Sequence, residues 1–337
     1  MKKIFLALAA VAALAACSKS DIEYEQTGEI GFYPVTKNMT KSMMTGTTFQ
    51  TSEEFNLWAY YKPVSATDLQ TWLAAEGDVQ EYLEEKTFKY YADKDNGKWA
   101  GKDNPYFWPK NGSLAFVGYY PATIASKVTY DFEEQTMTFS TIPQSRVQNT
   151  GYSEDIMYFN MTPSYSGNAV QAEFKHALSW ISLVLKKDAN TSVDAKITVE
   201  KVEFTQVKPS GNGIVAEQHD IVWAATGTAA TVDILEGTAV VLELNTNGEH
   251  EPYEPLFIPQ LMNGNLVITY TITSNDDSYF REVKTIALNT MKDAEENTLS
   301  SWEPAKHYTY TITIGTEEIL VAPEVKPWVE VDVPTTI

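Results

Sequence analysis

Alternation with a period of two residues is the feature that most restricts how this chain can fold. In "NLVITYTIT", Leu266, Ile268, Tyr270 and Ile272 share one parity, and Val267, Thr269, Thr271 and Thr273 share the other. "HYTYTITI" repeats the arrangement, with Tyr308, Tyr310, Ile312 and Ile314 set against Thr309, Thr311 and Thr313. Successive side chains of a strand point to opposite faces, so the pattern predicts half-buried β-strands. Further strands are predicted at 55–61, 114–120, 127–132, 136–142, 179–185 and 240–244. The predicted fold class is all-β.

Two departures from strict alternation carry information. In "ITVEKVEF", Ile197 and Val199 lie on one parity while Val202 and Phe204 lie on the other. A β-bulge near Glu200 and Lys201 returns both pairs to one core. Between 67 and 85 the spacing becomes helical: Leu69, Trp72 and Leu73 recur, then Val79, Tyr82 and Leu83, with Thr67 and Gln70 placed for a capping box. Gly77 divides this stretch into two predicted short helices inserted between strands.

The N-terminus reads as a secretion signal. Lys2 and Lys3 precede eleven apolar residues, Ile4 to Leu14, and Ala15-Ala16 lead into Cys17, the single cysteine of 337 residues. Eleven residues of helix span about 16 Å, roughly half of a bilayer's hydrocarbon core, which is too short for a membrane anchor. Leu14 to Cys17 resembles the bacterial lipobox, in which the cysteine becomes the acylated N-terminus of a lipoprotein; the alternative is an Ala-x-Ala cut beside an incidental thiol. Acyl chains at Cys17 hold a protein on a membrane at roughly 0.8 kcal/mol per buried methylene.

With one cysteine, no intramolecular disulfide can support the exported chain, and core burial has to. Loss of the leader (1–16) leaves 23 basic residues against 45 acidic ones, a net charge of −22. A surface so acidic repels nucleic acid and anionic headgroups. The remaining length exceeds what one hydrophobic core usually serves. Two domains are expected, 17–175 and 176–337, divided near His176 and each holding one Ile-Pro-Gln triplet, at 142–144 and 258–260.

A search for chemistry returns little. His176, His219, His250 and His307 are scattered, with no pair at helical spacing, so no local zinc motif exists. "GYSED" lacks the second glycine of a nucleophile elbow, and "DKDNGK" misplaces the glycine of a calcium loop and reads as a turn. Neither a metal, a cofactor nor an enzymatic constellation is expected. Aromatics remain: Trp99, Tyr106 and Trp108, exposed together, would form a stacking platform for glycans, and packed inward they would be core.

Six segments in order resemble the fimbrillin-like family, the lipoprotein-precursor pilins of type V fimbriae: "TKSMMTGTTF" (40–49), "FNLWAYY" (55–61), "YFWPKNGSLAFVGYYP" (106–121), "FKHALSWISLVL" (174–185), "FIPQLMNGNLVITYTI" (257–272) and "WEPAKHYTYTITI" (302–314). The resemblance implies two tandem transthyretin-like β-sandwiches and a structural role in adhesion. It also implies an outer-membrane precursor whose N-terminal strand is removed by a trypsin-like protease and replaced by a strand of another subunit, donor-strand exchange.

Against that scheme, "EIGFYPV" supplies a removable strand, with Ile30, Phe32 and Pro34 on one parity and Gly31, Tyr33 and Val35 on the other; Pro34 suits an edge. Lys41, and second Lys37, follow as cleavage positions; each could equally be an ordinary solvated lysine. The family's cut commonly follows arginine, whereas Arg146 and Arg281 are far from this end. For the donor, "ILVAPEVKPWVEVDV" offers Val325, Trp328, Val329, Val331 and Val333, although Pro323, Pro327 and Pro334 remove backbone donors; the same tail could be the last strand of the second domain.

Overall fold

The computed structural model describes residues 22–36, 49, 51–66, 68–94, 97–143, 155–165, 169–192, 194–216, 218–235, 239–242, 248–249, 255–273, 279–293, 296–315 and 319–327. The chain is all-β. Its first half contains β1 (Tyr24–Glu29), β2 (Phe32–Thr36), β3 (Glu54–Lys62), a short helix α1 (Leu69–Ala74), β4 (Gln80–Tyr91), β5 (Lys98–Gly101) and β6 (Phe107–Pro109). There follow β7 (Ser113–Tyr120), β8 (Val128–Asp131), β9 (Thr136–Pro143), β10 (Met157–Tyr165) and β11 (Val170–His176). The second half starts with β12 (Ser179–Lys187), β13 (Lys196–Val207), β14 (Ser210–Ala216), β15 (Val222–Thr226), β16 (Ala230–Leu235) and β17 (Val240–Leu242). It ends with β18 (Gly248–Glu249), β19 (Leu256–Phe257), β20 (Gln260–Leu261), β21 (Asn265–Thr273), β22 (Tyr279–Ala287), β23 (Ser301–Trp302), β24 (Lys306–Ile314) and β25 (Ile319–Pro327).

In the first half, seven strands close on themselves in the order β10-β11-β2-β5-β4-β3-β7. Inward residues of β3 and β7, among them Phe55, Leu57, Leu114 and Phe116, fill this ring. Their outward neighbours Trp58, Tyr60, Val117 and Tyr119 are buried too, beneath α1 and the sheet β15-β14-β9-β8. Burial on both faces explains why these two strands are apolar almost throughout rather than alternating. That outer sheet pairs β9 with β14, so hydrogen bonds cross the connection at residue 176 where the domain division was expected.

The second half is a sandwich. One sheet runs β18-β12-β24-β25 with β19 also on β12, and the other runs β16-β13-β21-β22 with β17 also on β13. Both contribute to a single core in which Leu183 and Leu185 meet Ile197, Val199, Tyr310 and Ile312. The expected bulge is present: Val199 pairs with Tyr270 and Lys201 with Thr269, which leaves Glu200 as the extra residue. Ile197, Val199, Val202 and Phe204 are accordingly all buried.

One reading of the sequence is corrected. Only the first of two predicted helices forms, and its N-cap is Asp68, whose carboxylate accepts from the Thr71 amide at 2.8 Å. Gly77 adopts φ +121°, a conformation that ends the helical path, and the chain then enters β4. Two register shifts in the β3–β4 ladder, between Leu57 and Ala59 and between Ala59 and Tyr60, place extra residues in β4. Bulges let Leu83 and Phe88, of opposite parity, reach one core, and such phase changes imitate a helical period.

Candidate functional site: the slot of the first buried strand

β2 is built into the ring rather than laid on it. It runs parallel to β11, with Phe32 opposite Val170 and Thr36 opposite Phe174, and meets β5 at a single antiparallel pair, Phe32 with Trp99. Among the described residues it makes no pairing with β5 beyond Phe32, and Pro34, which has no amide hydrogen to offer a ladder, sits in that stretch. The edge position expected for Pro34 thus exists on one side of β2 only.

Side chains hold the strand more firmly than backbone does. Ile30 and Phe32 have no exposed surface, Pro34 is buried, Val35 is half-buried, and Tyr33 points outward at 43% exposure. The Phe32 ring meets Phe88, Phe116 and Phe55 edge-on at centroid distances of 5.0, 5.1 and 5.8 Å. Edge-to-face contacts of this kind add about 0.5–1.5 kcal/mol each to area burial. Phe49, downstream of both candidate cleavage positions, packs into the same cluster against Phe174 and Tyr120.

The segment before β2 is anchored as well. β1 pairs with β6, the Ile30 amide donates to the Tyr106 carbonyl at 2.7 Å, and the Val170 amide donates to the Gly31 carbonyl at 2.8 Å. Glu29 brings two cations together: its carboxylate lies 2.5 Å from Lys94 Nζ and 3.8 Å from Lys98 Nζ. Lys98 is buried, and nothing in its local sequence separates it from a surface lysine.

Cys17, Lys37 and Lys41, together with Trp328, Val329, Val331 and Val333, lie outside the described residues. Val325 lies in β25, opposite Tyr308, and packs on the core of the sandwich. Pro323 and Pro327 also belong to β25, so the residues of the tail up to 327 complete a hairpin with β24.

Of the two readings of the aromatics, the structure shows packing inward. Trp99 and Trp108 are buried and Tyr106 is half-buried; Trp108 packs edge-on to Phe116 and Tyr106 lies against Phe88. Trp99 on β5 and Trp108 on β6 belong to the core that fills the ring, with Tyr106 packed against it, and they form no exposed stacking row.

Polar groups elsewhere serve packing. His176 Nδ1 and Asp155 Oδ2 are 2.6 Å apart and buried. The Lys62 ammonium donates to the carbonyls of Trp72, Leu73 and Ala75 at 2.8–2.9 Å, satisfying the end of α1. His307 stacks on Trp180 at 3.5 Å, and burial lowers its pKa from 6.5 to about 4. Tyr119 hydrogen-bonds to Glu85 and is reached by the Asn56 amide at 2.8 Å; burial raises its pKa. Among the described residues, no three His, Cys, Asp or Glu side chains group as metal ligands, and no helix is long and apolar enough to cross a membrane.

The sequence profile of the fimbrillin-like family matches residues 40–328. The chain belongs to the fimbrillin-like family. Solved structures agree on the fold: a fimbrial protein from Bacteroides vulgatus superposes with a TM-score of 0.56 at 17% identity, covering 88% of this chain and 99% of that one. A candidate cell adhesion protein from Parabacteroides distasonis gives 0.52 at 10% identity, covering 90% and 97%. Another from Bacteroides uniformis gives 0.51 at 17% identity, covering 90% and 99%. No curated protein is similar enough to count as a match. The slot around Phe32 is therefore a feature of a fimbrillin-like chain.

Proposed function

We propose that this chain is a non-enzymatic subunit of a cell-surface fimbria that serves adhesion, matured by loss of its first strands. In this reading it is exported as an outer-membrane lipoprotein acylated at Cys17. A trypsin-like protease then cuts after Lys41, or after Lys37, and residues up to that point leave with the lipid anchor. Both cuts remove β1 and β2. The observation that carries the reading is the seat of Phe32, buried at the centre of the ring on a strand joined to β5 by one residue pair.

Withdrawal of that strand leaves β11 and β5 with unpaired edges beside an apolar slot, a ready site for strand addition. Refilling it with three or four large side chains contributes roughly 5–12 kcal/mol gross, before ordering costs. The donor we assign is the tail after β25 of another fimbrial subunit. Both prolines that weaken the donor reading at 323 and 327 are used inside β25, whereas 328–333 contains none and alternates Val329, Val331 and Val333 with Glu330 and Asp332. Trp328 adds a large apolar group at its start.

Treatment of the folded precursor with a trypsin-like protease tests this. The expected products are a new N-terminus at Ser42 or Asn38 by mass spectrometry, followed by a ladder of heat-labile oligomers. Lys41→Gln combined with Lys37→Gln abolishes both. A cleaved chain that stays monomeric at high concentration contradicts the stalk role.

A further inference from the structure

Glu29 stands directly before Ile30, the first fully buried residue of the slot, and belongs to the segment that either proposed cut removes. Its side chain is 17% exposed, and it pairs with Lys94 and with Lys98, whose side chain is 7% exposed. The Lys98 stem lies along the departing strand: a Cβ placed on Gly31 would come within 2.5 Å of Lys98 Cδ. Departure of residues up to 37 or 41 thus strips one carboxylate from two ammonium groups at the mouth of an apolar slot. Two ammonium groups that converge on one part-buried position favour a carboxylate there over a neutral or basic group.

We infer that Lys94 and Lys98 form a carboxylate-reading site, so that the strand admitted to the slot must carry an acidic residue next to an inward apolar one. This rests on the strand-exchange reading above and adds to it a rule for which strand fits. The occupant is residues 328–333 of a second copy. Val331 is flanked by Glu330 and Asp332, so an acid lies next to it whichever direction the strand runs. No lysine or arginine occurs from 327 to 337, so nothing in that stretch opposes the two ammonium groups. By contrast β22, "YFREVKTIA", mixes Arg281 and Lys284 with Glu282, and β24 offers no acid at all. The site would reject both while their apolar residues alone would not.

The test uses the full precursor, folded, cleaved by a trypsin-like protease and kept dilute. Labelled peptides spanning 324–337 are titrated by fluorescence anisotropy: the natural sequence, Glu330→Gln with Asp332→Asn, and Glu330→Lys with Asp332→Lys. The natural peptide is expected to bind about tenfold more tightly than the neutral one, and the basic one to bind more weakly still. The gap should narrow as salt is raised. In a chain carrying Lys94→Met and Lys98→Met the natural and neutral peptides should bind alike; because that variant removes a buried group, the peptide series on the unaltered chain decides by itself. Equal binding of all three peptides to the unaltered chain overturns the charge rule alone. Binding of none of them overturns strand exchange, and the charge rule with it.

Discussion

Both halves of the molecule pair an early strand in parallel with a late one, β2 with β11 and β12 with β24, yet they hold it differently. In the second half β12 runs beside β24 over eight residue pairs, from Trp180 with His307 to Lys187 with Ile314, and its other edge is bonded to β18 and β19. In the first half β2 runs beside β11 over five pairs and touches β5 at one. β12 is secured by backbone along both edges and by core side chains, β2 chiefly by Ile30 and Phe32. In the proposed exchange, a strand held mainly by side chains in an apolar slot gives way to a segment that supplies similar apolar side chains and the acid beside them. One held by two ladders cannot leave without dismantling its sheet.

The largest effect that separates these cases is expected from two matched truncations. Phe32→Ala removes a ring that touches three others and should cost about 3–5 kcal/mol of precursor stability in a denaturant titration, and Leu183→Ala in β12 about 2–5 kcal/mol. Their consequences diverge. Weakening β2 should let a 324–337 peptide enter the uncut precursor, seen as a rise in anisotropy, whereas Leu183→Ala should give no such rise. Peptide binding by both variants alike would mean that general loosening, and not the seat of β2, admits the strand.

How much of this was legible beforehand depended on whether the information was local. β21 and β24 could be read directly because each sets apolar residues on its core face against threonines on the other, and the extra residue at Glu200 showed itself as a slip of parity. β3 and β7 were recognisable as strands, but their second buried face comes from β9 and β14, residues 20 to 160 positions away, and left no signature in either strand. The bulged start of β4 was misread because two register shifts turn an alternating pattern into a helical one. Phe32 was visible as an inward residue of a first strand. Glu29, Lys94 and Lys98 were not, since an ion pair across 65 positions is written only in the fold.

The seam between the early and the late strand also differs in its response to pH. In the second half it contains His307, stacked on Trp180 and within 2.7 Å of Ser182 Oγ. Burial is the main cause of its pKa of about 4; Glu324 opposes and Lys326 assists. Because the unfolded chain takes up this proton near pH 6.5 and the folded chain only near 4, the unfolded state binds more protons between those values. Stability from this residue is therefore intact above pH 6.5 and lost as pH falls towards 4, by up to about 3 kcal/mol. His307→Gln should flatten that part of the stability profile relative to the unaltered chain, measured by denaturation at pH 7 and pH 4.5. An unchanged slope would place the acid sensitivity in carboxylates instead.

The smallest effect concerns the outward faces of the two terminal strands. Tyr33 on β2 is 43% exposed and Leu320 on β25 is 53% exposed, and neither belongs to a core. Replacing each by threonine, whose branched β-carbon suits a strand, should change unfolding free energy by less than about 0.5 kcal/mol. The comparison becomes sharper after cleavage. In the proposed maturation Tyr33 departs with the removed segment, so Tyr33→Thr should leave the rate of oligomer growth unchanged once the precursor is cut. Leu320 remains on β25, immediately upstream of the proposed donor, and lies on the face of β25 opposite to the core. Growth unaltered by Leu320→Thr would show that β25 is a fixed stem and that exchange begins after Pro327; growth slowed severalfold would mean that the exchanged element extends back into the β24–β25 hairpin, and that the second half also gives up a strand.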